Sequence, residues 1–589
     1  MLSTFEKIRA LVNPKDRKKV LFLTALMVLT ALMQTVGVAS IMPFLSVLSD
    51  PEIIDKNQLL NTAYIHLNFS SAQSFLYFLG LTAFTLFVAG TILQAVTFWA
   101  IVKFSNMQQY ELSRRLMHEY LQRPYTFFLT RNSSDLAKTV LHETSQAING
   151  ALMPAMRLLS QIILAAFVIA LLIAINPFLS ILIALLVGGI YGIIYILART
   201  WLINIGKDRV NANKERYTAT AEAFTGAKEI RLLGREADYL ERYRKPSKRL
   251  AKHEANSTLI ADIPQYGIEA FAFGGILVLV IFMASGERGI ADALPVIGVY
   301  ALAGRQIIPA FQKIFTTFSA LRYNIPAVDN VLKDLNSELS EKFHQHSDSE
   351  KIHPKRSIKL ENITFTYPEG KSPAIKNTSI EINAKTTVGF IGPSGSGKST
   401  IVDVLLGLLT PEKGSVFIDD TRLSAENIRQ WQRSIGYVPQ HIFLADQSIA
   451  ANIALGVPEE EIDHAAVERA AKLANLHGFV ANELPEGYKT IVGERGVRLS
   501  GGQRQRIGIA RALYRDPEVL FFDEATSALD NATEHAVMEA IHNLTGSKTI
   551  ILVAHRLSTV KSCDEIFSIK KGNVEEKGNW EQLHLEKNI

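Results

Sequence analysis

"TTVGFIGPSGSGKSTIVDVLLGLL", residues 386–409, decides how the C-terminal half of this chain is read. An apolar run gives way to a glycine-rich loop, and the loop to a second apolar run beginning near Lys398. Strand, loop and helix are the setting in which G-x-x-x-x-G-K-[ST] binds phosphate. Gly392, Gly395 and Gly397, with Pro393, Ser394 and Ser396 between them, let backbone N–H groups curl around the β- and γ-phosphates. The helix that opens at Lys398, Ser399 and Thr400 adds the positive end of its dipole. Lys398 supplies a point charge, and the Ser399 hydroxyl suits a Mg²⁺ ligand. The loop predicts a nucleoside triphosphate site with Mg²⁺ as its metal.

Two later stretches repeat the pattern of a strand that ends on a polar group. "PEVLFFDEATSALD", 517–530, has four apolar residues before Asp523. Such a run suits a buried parallel strand, whose C-terminal end is where open α/β sheets bind ligands. Asp523 is then placed to face Mg²⁺, and Glu524 to polarise an attacking water. Alone, the pair would read as surface acids after a strand; beside a phosphate loop it reads as catalytic. "TIILVAHRLSTV", 549–560, ends its strand at His555, within reach of a γ-phosphate or the attacking water. Gln440 in "IGYVPQHIF" is likewise at a strand end, and by itself implies nothing.

The whole chain has 589 residues, too many for one core. Apolar residues make up 48% and charged residues only 20%, fewer charges than a soluble protein of this size carries. The composition changes near residue 340. Before it, apolar runs at 20–48, 74–102, 158–175, 178–198, 258–285 and 290–318 are each near the length of about 20 residues that a helix needs to span a bilayer. The expected domains are therefore a six-span membrane domain over 1–336, a polar linker over 337–356 and an α/β domain over 357–589. The fold class is a membrane α-helical domain fused to an α/β P-loop NTPase.

The net charge of +5 is small, and the Lys and Arg residues flank the apolar runs. That is the pattern of membrane orientation, not of nucleic-acid binding. "KIRALVNPKDRKKV" at the N-terminus and the loop 199–257 are basic, which places both, and the ATPase domain, on the cytoplasmic side. The long inner connections, 103–157 and 199–257, predict helices that continue well below the membrane. The single cysteine, Cys563, excludes an intrachain disulfide.

"GPSGSGKST", "YVPQ", "LSGGQ" at 499–503, "FFDEATSALD" and "AHRLS" occur together in the order and spacing of an ABC-transporter nucleotide-binding domain, and the chain resembles that family across its second domain. The resemblance implies that Tyr367 in "FTYPEG" stacks on adenine. It implies that Gln440 contacts Mg²⁺ and the lytic water, and that Glu524 is the general base. His555 resembles the switch histidine and Asp530 the D-loop acid. Ser500, Gly501, Gly502 and Gln503 resemble the signature loop, which in this family closes over the ATP of a second domain. A chain with one loop of each kind is then expected to act as a homodimer with two composite sites. The first domain resembles the exporter type. "PYTFFLTRNSSDL" is similar to a first coupling region, and "AEAFTGAKEIRLLGREADYLERY" to the stretch after the second. "TIVGERGVRLSGGQ" resembles the exporter loop, with Glu494 as its coupling contact.

The membrane domain is most similar to bacterial flippases of lipid-linked oligosaccharides. The expected activity is ATP-driven export or flipping, in the bacterial inner membrane, of a lipid-linked or amphipathic substrate. Lipid A-like lipids, drugs or peptides are alternative cargoes, and an ATP-gated channel or regulatory subunit is a reading from another class. Ionisable residues inside spans are costly and mark function. Arg305 and Glu269 are the substrate-site candidates on that ground, with a mutual ion pair as the structural alternative. Lys313 is expected to snorkel from the cytoplasmic end of its helix.

Overall fold

The computed structural model describes residues 4–175, 177–284, 289–336, 351–493, 496–524, 534–535, 537–539, 544–554 and 556–583. The chain divides into two compact units, Met1–Leu121 with Arg131–Glu338, and Gln122–Thr130 with Leu339–Ile589. The nine residues Gln122–Thr130 group with the second unit.

The first unit is helical. It opens with α1 (Thr4–Leu11), α2 (Arg17–Ala39), α3 (Ile41–Ser49), α4 (Ile53–Lys56) and α5 (Gln58–His66). The long helix α6 (Ala72–Leu121) follows; α7 (Tyr125–Leu129) belongs to the second unit. Then come α8 (Ser133–Lys138), α9 (Thr144–Ala147) and α10 (Met153–Ile175), joined by π-helical turns at Thr139–Glu143 and Ile148–Leu152. The unit ends with α11 (Pro177–Thr225), α12 (Ala227–Leu232), α13 (Glu236–Ala284) and α14 (Gly289–Leu335).

Pro14–Ser49, Ala72–Leu121 and Ser133–Ile175 are long and apolar enough to cross a membrane by length and composition. The 49 residues of α11 would run about 70 Å at roughly 1.5 Å each, more than twice the ~30 Å of a hydrocarbon core. Leu81, Phe84, Leu185 and Leu197 are exposed on these helices, as side chains facing lipid are. The apolar run 20–48 is not one helix. It turns at Ser40, whose hydroxyl donates to the Gly37 carbonyl at 2.8 Å, because Pro43 has no N–H to continue the ladder to Ala39. Helices α2 and α6 approach closely at glycines. A Cβ on Gly37 would stand 3.3 Å from the Phe87 backbone, and one on Gly90 3.4 Å from that of Gln34.

The second unit holds two sheets. The strands are β1 (Ser357–Phe365), β2 (Ile375–Asn383), β3 (Thr387–Ile391), β4 (Lys413–Ile418), β5 (Thr421–Arg422), β6 (Ile435–Val438), β7 (Val519–Asp523), β8 (Thr549–Val553), β9 (Glu565–Lys570) and β10 (Asn573–Gly578). An antiparallel sheet runs β2-β1-β4-β5. The other runs β10-β9-β3-β8-β7-β6 and is parallel except at its β9–β10 edge. Its helices are α15 (Lys398–Leu405), α16 (Ile428–Gln432), α17 (Ile449–Ile453), α18 (His464–Leu473), α19 (His477–Asn482) and α20 (Gly501–Leu513).

The uninterrupted apolar runs of β7 and β8 follow from burial on both faces. Val519, Phe521, Ile551 and Val553 enter one core, and Leu520, Phe522, Ile550 and Leu552 the other. Trp431 is fully buried in the first of these cores and its indole N–H donates to the Leu405 carbonyl at 2.7 Å, tying α16 to the end of α15. Trp431→Ala removes both the packing and the bond, and costs roughly 3–5 kcal/mol. Thermal unfolding of the purified protein is expected to show the lowest-melting transition shifted down; an unchanged melting profile would contradict this view of the core.

Candidate functional site

The parallel strand β3 ends at Ile391, and the chain then makes turns that L side chains resist. Gly392, Gly395 and Gly397 have φ of +144°, +75° and +105°. A Cβ on Gly392 would collide with the Ile569 carbonyl, and one on Gly397 would stand 2.9 Å from that of Ala374. Gly392 and Gly397 are therefore required by both conformation and space, and Gly395 by conformation alone. The Ser396 hydroxyl is buried beneath this loop with no hydrogen-bond partner. Lys398 opens α15 and is 5% exposed; its ammonium donates to the Gly392 carbonyl at 2.8 Å and the Pro393 carbonyl at 3.0 Å. Burial holds its pKa below the usual lysine value, and the charges of Glu524 and Asp523 oppose that shift. Phosphate oxygens would give this ammonium the anionic partner that two neutral carbonyls do not.

Tyr367 lies beside the loop. Its hydroxyl and that of Thr400 are 3.1 Å apart, and its ring meets Phe365 edge-on at 5.1 Å. Ser399 is exposed at the first turn of α15. Asp523 closes β7, almost wholly buried, and Glu524 follows in the left-handed region at φ +51°. That conformation is costly for a non-glycine and marks functional positions. The Glu524 backbone N–H donates to the Val553 carbonyl at 3.1 Å, which aims the side chain off the end of the sheet. The Gln440 amide donates to the Glu524 carboxylate at 2.7 Å. Two residues 84 apart in sequence thus meet beside the phosphate loop.

A further carboxylate, Asp403, was not singled out from the sequence. Burial, and then the Asp523 charge, push its pKa up to about 6. Its signal was a lone acid within the apolar helix "IVDVLL". The group Ser399, Gln440 and Asp523 fits a Mg²⁺ that takes the rest of its shell from phosphate oxygens and water.

The signature residues occupy a different helix end. Ser500 caps α20: its hydroxyl accepts from the Gln503 N–H at 3.2 Å, and its own N–H donates to the Gln503 side-chain oxygen at 2.8 Å. Ser500 is exposed, with Gly501 and Gly502 half-buried behind it. The 13-residue helix points its positive end at this surface. His555, Asp530 and Glu494 lie outside the described residues.

In the helical unit, Arg305 and Glu269 are both exposed, and no ion pair joins them. The Glu269 carboxylate instead accepts from Gln265, whose side-chain oxygen accepts from Gln312. A cavity of about 180 Å³ lies elsewhere in this unit, between α2, α6, α10 and α14; Arg157, Lys313, Gln34, Gln94 and Gln161 line it together with apolar side chains such as Phe98 and Leu164. The Arg157 guanidinium lies 4.9 Å over the Phe98 ring, and its buried Nε has no hydrogen-bond partner. The sequence hid Arg157 because it abuts the apolar run 158–175 and looks like a flanking charge. Lys313 lines a cavity instead of only snorkelling.

Residues 375–527 match the family model for the ABC transporter, and residues 17–294 match that for the ABC transporter transmembrane region. An ATP-dependent lipid A-core flippase of Saccharophagus degradans is 30% identical over 80% of this chain and 79% of its own length. A leukotoxin translocation ATP-binding protein of Mannheimia haemolytica is 36% identical over 57% of this chain and 47% of its own length. In fold, the chain is similar to a solved bacterial Atm1-family ABC exporter with ATP bound. The TM-score is 0.76 at 22% identity, with 98% of this chain and 97% of the other covered.

Glu524→Gln keeps the side chain's size and its reach to Gln440 but removes the base. Steady-state phosphate release is expected to fall by roughly 10²–10⁴-fold, with the affinity for a fluorescent ATP analogue unchanged. Near-normal turnover in this variant would refute the assignment.

Proposed function

Because the chain belongs to the ABC transporter family and joins an exporter-type membrane domain to an ATPase domain, we propose that it flips an amphipathic lipid with an anionic head. Lipid-linked oligosaccharides and lipid A-like glycolipids are the class meant. The carrying observation is the pair of cations in the cavity of the helical unit. Arg157, Lys313 and three glutamines line a space among apolar helices, and a cation there is costly unless an anion comes to it. Phosphate or pyrophosphate joined to a lipid supplies that anion. The relative named as a lipid A-core flippase supports the same class of cargo.

We infer further that the working unit is a homodimer in the bacterial inner membrane, with the ATPase domains cytoplasmic. ATP would lie on the phosphate loop of one copy and beneath Ser500 of the other. The exposed, capped N-terminus of α20 supports this, since it offers N–H groups and dipole to a phosphate. Hydrolysis is transfer of the γ-phosphoryl group to water. The water oxygen bonds to phosphorus, the bond to the bridging oxygen breaks, and ADP leaves. The Glu524 carboxylate accepts the water's proton, Gln440 holds that carboxylate, and Lys398 stabilises the transferring charge. A bound Mg²⁺ would add charge neutralisation at the β- and γ-oxygens.

Purified protein in liposomes tests the cargo. Wild type is expected to move a fluorescent undecaprenyl-pyrophosphate oligosaccharide across the bilayer with ATP. Arg157→Ala/Lys313→Ala is expected to lose roughly tenfold or more of that transport while keeping basal ATP hydrolysis. Equal transport of a phosphate-free analogue, or full transport by the double variant, would overturn the anionic-head reading.

A further inference from the structure

Three stretches of the helical unit meet at one close-packed node. A Cβ on Gly206 of α11 would strike the Tyr323 carbonyl oxygen of α14, and one on Gly150, in the second π-helical turn, would stand 2.5 Å from the Asn324 side chain. Arg209 follows Gly206 on α11 and is 4% exposed. Its guanidinium stands 4.7 Å over the Tyr323 ring, and its Nη1 donates to the Gln146 side-chain oxygen at 3.0 Å. Its Nε and Nη2, the pair of N–H groups that grips a carboxylate side-on, have no hydrogen-bond partner.

Glu143 is 1% exposed. Its Oε1 lies 3.7 Å from the Lys138 ammonium, and its Oε2 has no partner. Gln146 is three residues further along the same face, and Arg209, which holds Gln146, is within electrostatic reach of the Glu143 carboxylate. A buried acceptor and two buried donors of opposite charge thus stand unsatisfied on neighbouring side chains, a costly state for each.

The Lys138–Glu143 contact depends on the π-helical turn between them. In Thr139–Glu143 the ladder skips five residues, and the Thr144 N–H donates to the Thr139 carbonyl. Side chains five residues apart stack in such a turn but point about 140° apart in an α-helix. Lys138 also has a closer partner, Asp135 at 3.1 Å, whose other oxygen lies 3.3 Å from Lys214 of α11. Loss of the π turn therefore takes Lys138 from Glu143 without stranding the lysine.

We propose that Glu143 exchanges Lys138 for the open side of Arg209 when the turn at Thr139–Glu143 becomes α-helix, and that this exchange accompanies ATP binding. A π turn holds one residue of slack, so its conversion rotates α8 by about 100° against α9. Helix α8 begins three residues after Thr130, the end of the segment that groups with the ATPase unit, so that segment feels the rotation along the chain. Glu143 and Arg209 are positioning residues; neither touches nucleotide or cargo. Neither the cargo nor the two-copy ATP site enters the exchange, only the binding of ATP.

Thermal unfolding of the full-length protein in lipid nanodiscs, without nucleotide and with Mg²⁺ and saturating AMP-PNP, tests it. Glu143→Gln keeps the shape and loses the charge. Its nucleotide-free melting temperature is expected to stay within about 1 °C of wild type or to rise, while the rise caused by AMP-PNP falls by about half or more. Its kcat for ATP hydrolysis is expected to drop roughly tenfold, with KM for ATP within about twofold of wild type. Arg209→Lys keeps the charge and loses the fork. It is expected to cut the AMP-PNP rise as much, and the double variant to cut it no further. A wild-type AMP-PNP rise in Glu143→Gln, or losses that add in the double variant, would overturn the proposal. A lower nucleotide-free melting temperature with a full AMP-PNP rise is the result for a carboxylate already joined to Arg209 by a fixed water, and overturns it too. If either variant does not fold, Lys138→Gln carries the test. It removes the partner that Glu143 has before nucleotide binds, and is expected to enlarge the AMP-PNP rise; an equal or smaller rise would overturn the proposal.

Discussion

The ammonium of Lys398 is nearly buried and, among the described residues, donates to two neutral carbonyls, those of Gly392 and Pro393. Burial weakens its hold on its proton, and the carboxylates of Asp523 and Glu524 act the other way. Such a group is stable where an anion of several charges will replace the carbonyls. Much of the ATPase unit serves that one requirement. Two cores bury both faces of the parallel sheet, in which β3 and β7 flank β8 and run parallel to it. The loop after β3 carries glycines where side chains would strike the backbone, and the residue after β7 is forced into a left-handed conformation that turns Glu524 outward.

The helical unit meets the opposite constraint. Lipid demands that polar groups be few and satisfied within the protein. Most of its polar side chains comply. Thr30 and Thr97 bond each other across α2 and α6 at 2.6 Å, and the Ser180 and Tyr300 hydroxyls are 2.9 Å apart between α11 and α14. Several do not, among them the buried Ser105, Tyr191 and Ser319 hydroxyls, and Arg157 is the one of these that lines the cavity, with a buried Nε left unbonded and its guanidinium resting on an aromatic face. A cation among apolar helices is what a passing anionic lipid head would neutralise, and this is the ground of the cargo class proposed above.

Sequence pattern and structure agree where one physical cause dominates. The phosphate loop and the strand before Asp523 are local: glycines and an uninterrupted apolar run suffice to place them. What the sequence hid was set by tertiary contact. Nothing in the spacing shows that Gln440 meets Glu524, that Ile442 lies on Gly508, or that Arg157 faces a cavity while Arg305 stays exposed. An arginine next to an apolar run looks like a membrane flank, and one inside the run looks like a site; here the first lines a cavity and the second is exposed. The break at Ser40 was legible in principle from Pro43, but the hydropathy of 20–48 covers it. Residues 122–130 carry no composition cue for leaving the helical unit, since only their partners define where they belong.

The central claim is that each ATP is shared by the phosphate loop of one copy and the signature serine of the other. Mixed dimers test it directly, purified with a different affinity tag on each chain. Pairing a Lys398→Ala chain with a Ser500→Arg chain leaves one shared site with both parts intact. Pairing wild type with a Lys398→Ala/Ser500→Arg chain leaves none. The account predicts ATP hydrolysis in the first pairing and almost none in the second. Hydrolysis in the second pairing and none in the first would show that each chain uses both loops on its own ATP, and would contradict the account.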